Sequence, residues 1–201
     1  AKHPKPPQLY QQSTRPCPAT EILSSRQFPD DMQGNLLVGN VIGIQGILQY
    51  RIDERGASYR GTEVDTFISS SDPNFRPADI EVGADGAVYF TDWHNPIIGH
   101  MQHHIRDPNR DQKHGRVYRV TYEGRPLSPS PPSGGETVEH LLSLVAEPEN
   151  RVRHWAKIER SGRPTADVLA AVDGWVATLD PQDENYAHHL TEALWVYQYH
   201  N

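Results

Sequence analysis

The sequence predicts a mixed β-then-α protein: a partial β-propeller of about two blades, followed by α-helical HEAT-like repeats. Three observations lead there. Short alternating strands recur in the first 123 residues. A Pro/Ser/Gly run, GRPLSPSPPSGG, occupies residues 124–135. Beyond it, in 136–201, the apolar spacing changes from a strand period to a helical one.

The strands come in two groups. Residues 35–41 (NLLVGNV), 46–52 (GILQYRI) and 63–68 (EVDTFI) are short apolar or alternating runs bounded by glycine and acidic turn residues. Residues 77–82 (PADIEV), 87–92 (AVYFTD) and 115–121 (GRVYRVT) repeat the pattern, with Asp85-Gly86 as a tight-hairpin signal. The groups align: GILQYRI corresponds to GRVYRVT, and residues 31–34 precede a strand as Asp85-Gly86 does. A unit of about 50 residues holding three or four antiparallel strands suits a propeller blade. An ordinary β-sandwich is the alternative on pattern alone.

Residues 124–135 have nothing to bury and read as a linker. Four helical stripes follow. They are Val138, Leu141, Leu142 and Val145; Val152, Trp155 and Ile158; Val168, Leu169, Val172, Val176 and Leu179; and Tyr186, Leu190, Ala193, Leu194 and Tyr197. Pro164 marks the start of the third. Short helices with brief joints suit stacked antiparallel hairpins, as in HEAT-like solenoids, with a compact four-helix bundle as the alternative.

Charge and composition exclude several partners. The net charge of −7 comes with no basic stripe, which argues against nucleic acid. No run approaches the roughly 20 apolar residues of a bilayer span, so no transmembrane segment is expected. Cys17, the sole cysteine, excludes an internal disulfide and the paired-cysteine attachment of a c-type haem. No signal-peptide pattern follows the first residue, so any targeting segment is expected outside this chain. About two blades cannot close a ring, and terminal solenoid hairpins leave an open end. The expected partners are therefore further blades and further helical repeats of the same polypeptide.

One connection stands out. Residues 93–114, WHNPIIGHMQHHIRDPNRDQKH, occupy the position that residues 42–45 fill in the first group. Five of the eleven histidines fall in this insert, and long inserts in compact domains tend to be functional. Blade topology directs it to the same end as the inter-blade loop, residues 69–76. Three readings are open. His94, His100, His103 or His104 acts as a general base, since imidazole titrates near neutral pH. Asp92, His100, His103 and His104 hold zinc or another borderline metal, with Asp107 and Asp111 nearby. In the third, Trp93, Ile97, Ile98, Met101 and the histidines simply pack the insert down, while Arg106, Asp107, Arg110 and Asp111 pair. Arg76 and Asp79 carry a parallel choice: Arg76 binds an anionic cofactor as a bidentate donor, or pairs with Asp79 or Asp72 to fix the loop. His140, His188 and His189 are expected on helices as surface or packing residues.

The stretch FRPADIEVGADGAVYFTDW, followed by NPIIGHMQHHIRDPNRD and HGRVYRV, resembles a bacterial family of membrane-bound dehydrogenases. Its members combine a glucose/sorbosone dehydrogenase-like propeller with HEAT-like repeats and usually a C-terminal c-type haem domain. The resemblance extends over most of the chain, the helical half included. It implies the closing propeller region and its junction to the helical repeats, in a periplasmic or otherwise extracytoplasmic oxidoreductase of sugars or alcohols. Related soluble sugar dehydrogenases use pyrroloquinoline quinone with calcium, a histidine base and arginine contacts to the quinone. Those residues come from earlier blades, so the resemblance assigns no role to a position here, and it places haem c outside this chain. The alternative from another class is a non-catalytic propeller and solenoid platform that binds glycans or a partner protein.

Overall fold

The structure, a computed structural model, describes residues 8–10, 17–99 and 104–200. It divides into two compact units, Ala1–Pro126 and Leu127–Asn201.

The first unit is antiparallel β-structure. Strands β1 (Ala19–Ile22), β2 (Leu36–Asn40), β3 (Gly46–Arg55) and β4 (Ser58–Glu63) form a meander in chain order, and β5 (Ile68–Ser69) pairs with the start of β3. A second meander holds β6 (Pro77–Val82), β7 (Val88–Asp92) and β8 (Arg116–Val120). The alternation of side chains explains how both faces of the first sheet are used. Leu37 and Ile47 point into one cluster, while Val38, Leu48 and Tyr50 point into another. The first cluster is shared with the second sheet through Ile80, Val82, Val88 and Phe90, so the two meanders pack face to face. Phe90 stacks on Tyr118, its partner across β7 and β8, at 4.9 Å, and Phe75 meets both edge-on.

The hairpin expected at Asp85-Gly86 is there. Gly86 has φ +82°, and the Asp85 carboxylate accepts the Ala87 amide at 3.1 Å. The predicted strand over 63–68 is corrected. Strand β3 runs on to Arg55 and turns at Gly56 (φ +59°) into β4, which ends at Glu63. Residues 64–67 then follow β3 loosely, with the Val64 and Phe67 amides donating to the Gln49 and Ile47 carbonyls. The polar stretch DERGASYRGTE has no apolar alternation to announce a strand, because its side chains are mostly exposed. Glycine at position 46 is a packing requirement: a Cβ there would run into the Ile68 carbonyl where β5 lies against β3.

The second unit holds α1 (Val138–Leu144), α2 (Asn150–Ser161), α3 (Thr165–Ala177) and α4 (Tyr186–His200). Helix α1 packs on α2 and α3, and α3 packs on α4. Thr137 caps α1 by accepting the His140 amide at 3.2 Å, and α3 begins directly after Pro164. Leu142, Val168, Val172, Ala193 and Val196 form the core. The second predicted stripe is corrected. Helix α2 buries Val152, Ala156 and Arg160, leaving Trp155 44% and Ile158 58% exposed. The inner face carries charge instead: Lys157 pairs at 2.7 Å with Glu192 of α4, which is itself buried. Leu194 likewise faces out at 59%. Among the described residues no helix is long and apolar enough to cross a membrane.

Candidate metal and anion site

Strand β7 ends at Asp92 and β8 begins at Arg116, so the insert leaves and rejoins the second sheet at neighbouring points. The Asp92 side chain is fully buried. Its Oδ1 accepts the amides of Arg76 at 2.7 Å and His94 at 2.8 Å, and its Oδ2 accepts from Arg116 Nε at 2.6 Å. Arg116 reaches on to Asp72 at 2.8 Å. Backbone bonds complete the lacing: the Trp93 amide donates to the Arg76 carbonyl, and the Asn95 amide to the Asn74 carbonyl. The loop over 70–76 and the root of the insert are thus one hydrogen-bonded assembly.

This assembly orients His94. Its backbone is held at φ +49°, a left-handed conformation that costs free energy in a non-glycine residue. Its imidazole sits between two carboxylates, with Nδ1 3.2 Å from Asp111 Oδ2 and Nε2 3.6 Å from Asp72 Oδ2. His114 Nδ1 approaches the same Asp111 oxygen at 2.8 Å. Asp111 is fixed from the other side, where Oδ1 accepts the Lys113 and His114 amides at 2.9 and 3.0 Å. The Lys113 amide and the His114 ring hold the Asp111 carboxyl well below the usual carboxylate range. The Arg116 guanidinium, helped by the Asn74 amide, lowers the Asp72 carboxyl as well. His94, Asp111 and His114 each offer one ligand atom, and these atoms lie within 4.8 Å of one another.

Arg76 belongs to a second feature of the same region. It is 7% exposed, and its NH1 donates to the carbonyl of the preceding residue, Phe75, at 2.9 Å. Its Nε is buried without a hydrogen-bond partner. Burial pulls the guanidinium below the usual arginine value, against the attraction of Asp92 and Asp72. Arg76 lines a pocket of about 250 Å³ with Val41, Ile42, Gly43, Gln45, Pro96 and Ile98. A larger groove of about 690 Å³, bordered by Met32, Phe67 and Tyr122 among others, contains no such unpaired buried donor among the described residues.

The sequence-predicted residues separate accordingly. His94 joins a cluster, but with Asp111 and His114 rather than with its histidine neighbours. His104 is exposed, its Nδ1 accepting the Arg106 amide at 3.0 Å. His100 and His103 lie outside the described residues. Asp92, expected as a metal ligand, has both oxygens engaged by amides and Arg116. Asp79 is exposed and caps the neighbouring Ile80 amide at 3.1 Å, while the carboxylates acting on Arg76 are Asp92 and Asp72. The place of His114 in this cluster and of Asp72 beside His94 was not anticipated. The Asp111-x-x-His114 spacing was the visible clue, but His94 is 17 residues away in sequence from Asp111 and only the fold unites them.

No curated protein and no solved structure matches this chain. A family model does match, over residues 7–124, which is more than half of the sequence and contains the whole of the described site. The chain belongs to that family, the domain of unknown function DUF7133.

Proposed function

We propose that the β unit is the closing part of a β-propeller in an extracytoplasmic oxidoreductase of sugars or alcohols, followed by HEAT-like repeats. The buried, half-paired guanidinium of Arg76 in its small pocket carries this reading. A buried cation with an unused donor is costly unless an anion completes it. Pyrroloquinoline quinone bears carboxylates, and Arg76 suits one of them as a charge-assisted donor. Two consecutive antiparallel meanders packed face to face also suit successive blades.

Calcium does not fit this pocket. The ion takes six to eight oxygen ligands, and among the described residues the pocket lining contains no carboxylate. The quinone, when bound, would accept the electrons removed from the substrate, and a c-type haem elsewhere in the polypeptide would receive them. The part assigned to this chain is narrower: Arg76 neutralises and orients the anion, while Val41, Ile42, Pro96 and Ile98 supply apolar walls.

The test is dye-linked turnover by the intact protein, supplied with the quinone, over a broad sugar and alcohol panel. Turnover is expected, with Arg76→Gln needing at least about tenfold more quinone for half-maximal rate, the loss of one charge-assisted bond. No turnover on any substrate contradicts the reading. One observation favours a second role, a binding platform: Trp155 and Ile158 on α2, and Leu194, Trp195 and Tyr199 on α4, are exposed. Glycan-array binding without turnover would support it.

A further inference from the structure

We infer that His94, Asp111 and His114 form a binding site for a divalent metal ion of the zinc class, with Asp72 as the carboxylate that orients His94. This site is independent of the oxidoreductase reading, which rests on the Arg76 pocket.

The donor set points to the ion. Two imidazoles and one carboxylate suit zinc and its borderline neighbours, whereas calcium and magnesium prefer oxygen alone. The spacing fits as well. Ligands about 2.0–2.1 Å from a tetrahedral zinc stand roughly 3.3 Å apart. Asp111 Oδ2 is already 3.2 Å from His94 Nδ1 and 2.8 Å from His114 Nδ1. An ion would replace the two contacts that now converge on one oxygen and draw in the two imidazole nitrogens, which lie within 4.8 Å of each other.

The surroundings are those of a prepared site. A metal-binding imidazole commonly gives its second ring nitrogen to a carboxylate, which fixes its tautomer and orientation. His94 is placed for that arrangement: Nδ1 faces the cluster, and Nε2 stands 3.6 Å from the Asp72 carboxylate, just beyond hydrogen-bond length, so a small rotation of the ring closes the contact. Asp72 is in turn tied to Arg116, and Arg116 to the buried Asp92. Asp111 is held by two amides through the oxygen that does not face the histidines. Three protein ligands leave a fourth position open, as in zinc sites that bind water or a substrate. The 72% exposure of the His114 side chain places that opening towards solvent.

Zinc titration by calorimetry on the full chain tests this, with His114→Ala as the main variant because that side chain is exposed and its removal leaves no cavity. One zinc per chain is expected, weakened at least tenfold in His114→Ala and about tenfold to a hundredfold in Asp72→Asn. Calcium should give no heat of binding. A combined His100→Ala, His103→Ala and His104→Ala variant controls for the other histidines of the insert and should keep the wild-type affinity. Absence of zinc binding overturns the inference. So does an affinity indifferent to His114→Ala, or one lost in the triple variant.

Discussion

Asp92 offers two carboxylate oxygens, and the fold uses both: one receives the amides of Arg76 and His94, the other the Arg116 guanidinium. The same side chain therefore sets the start of the Arg76 pocket, the unusual backbone of His94 and, through Arg116, the position of Asp72. Its removal strands donors in a buried place, and such groups cost free energy whether or not anything binds. Asp92→Ala is expected to lower stability by about 3 kcal/mol in urea unfolding. A loss under about 1 kcal/mol would mean that water or a rearranged loop satisfies those donors. A carboxylate at the end of an FTD strand is conspicuous in the sequence, which is why Asp92 entered as a ligand candidate. Its actual role depends on three donors from separate segments, and no local pattern displays them.

Strands and helices differ in how openly the chain announces them. Strands β2, β6, β7 and β8 are short apolar or alternating runs bounded by turn residues, so pattern and structure coincide within a residue or two. Strand β4 was missed because its mostly exposed side chains give it no apolar face to detect. Helix α2 shows the opposite failure. Its largest apolar residues suggested the inward face, yet the helix turns Val152, Ala156 and Arg160 inward and meets α4 through Lys157 and Glu192. An ion pair with only its carboxylate buried is invisible to hydrophobic periodicity. Trp155→Ala is accordingly expected to cost under about 1 kcal/mol, against about 2–5 kcal/mol for Leu141→Ala, which truncates a fully buried side chain. Equal losses in thermal or urea unfolding would contradict this assignment of faces.

Over the molecule as a whole, the β-then-α order and the end to which the insert is directed were legible, because both follow from strand polarity and composition. The membership of the site was not. His94 and Asp111 meet across the insert, Asp72 arrives from the loop before β6, and Asp79 bonds the neighbouring Ile80 amide while Arg76 is buried beside Asp92. What the histidine-rich insert contributes is therefore a long-range constellation, built on a buried carboxylate and open to solvent at His114. The claim that it is a prepared ligand site, rather than packing, can be seen directly. Crystals of the full chain grown with zinc, measured at the zinc absorption edge, would locate the ion by anomalous scattering. One peak is expected, about 2.0–2.1 Å from His94 Nδ1, His114 Nδ1 and an Asp111 oxygen. A peak on His104 instead, or no peak at this cluster, would contradict it.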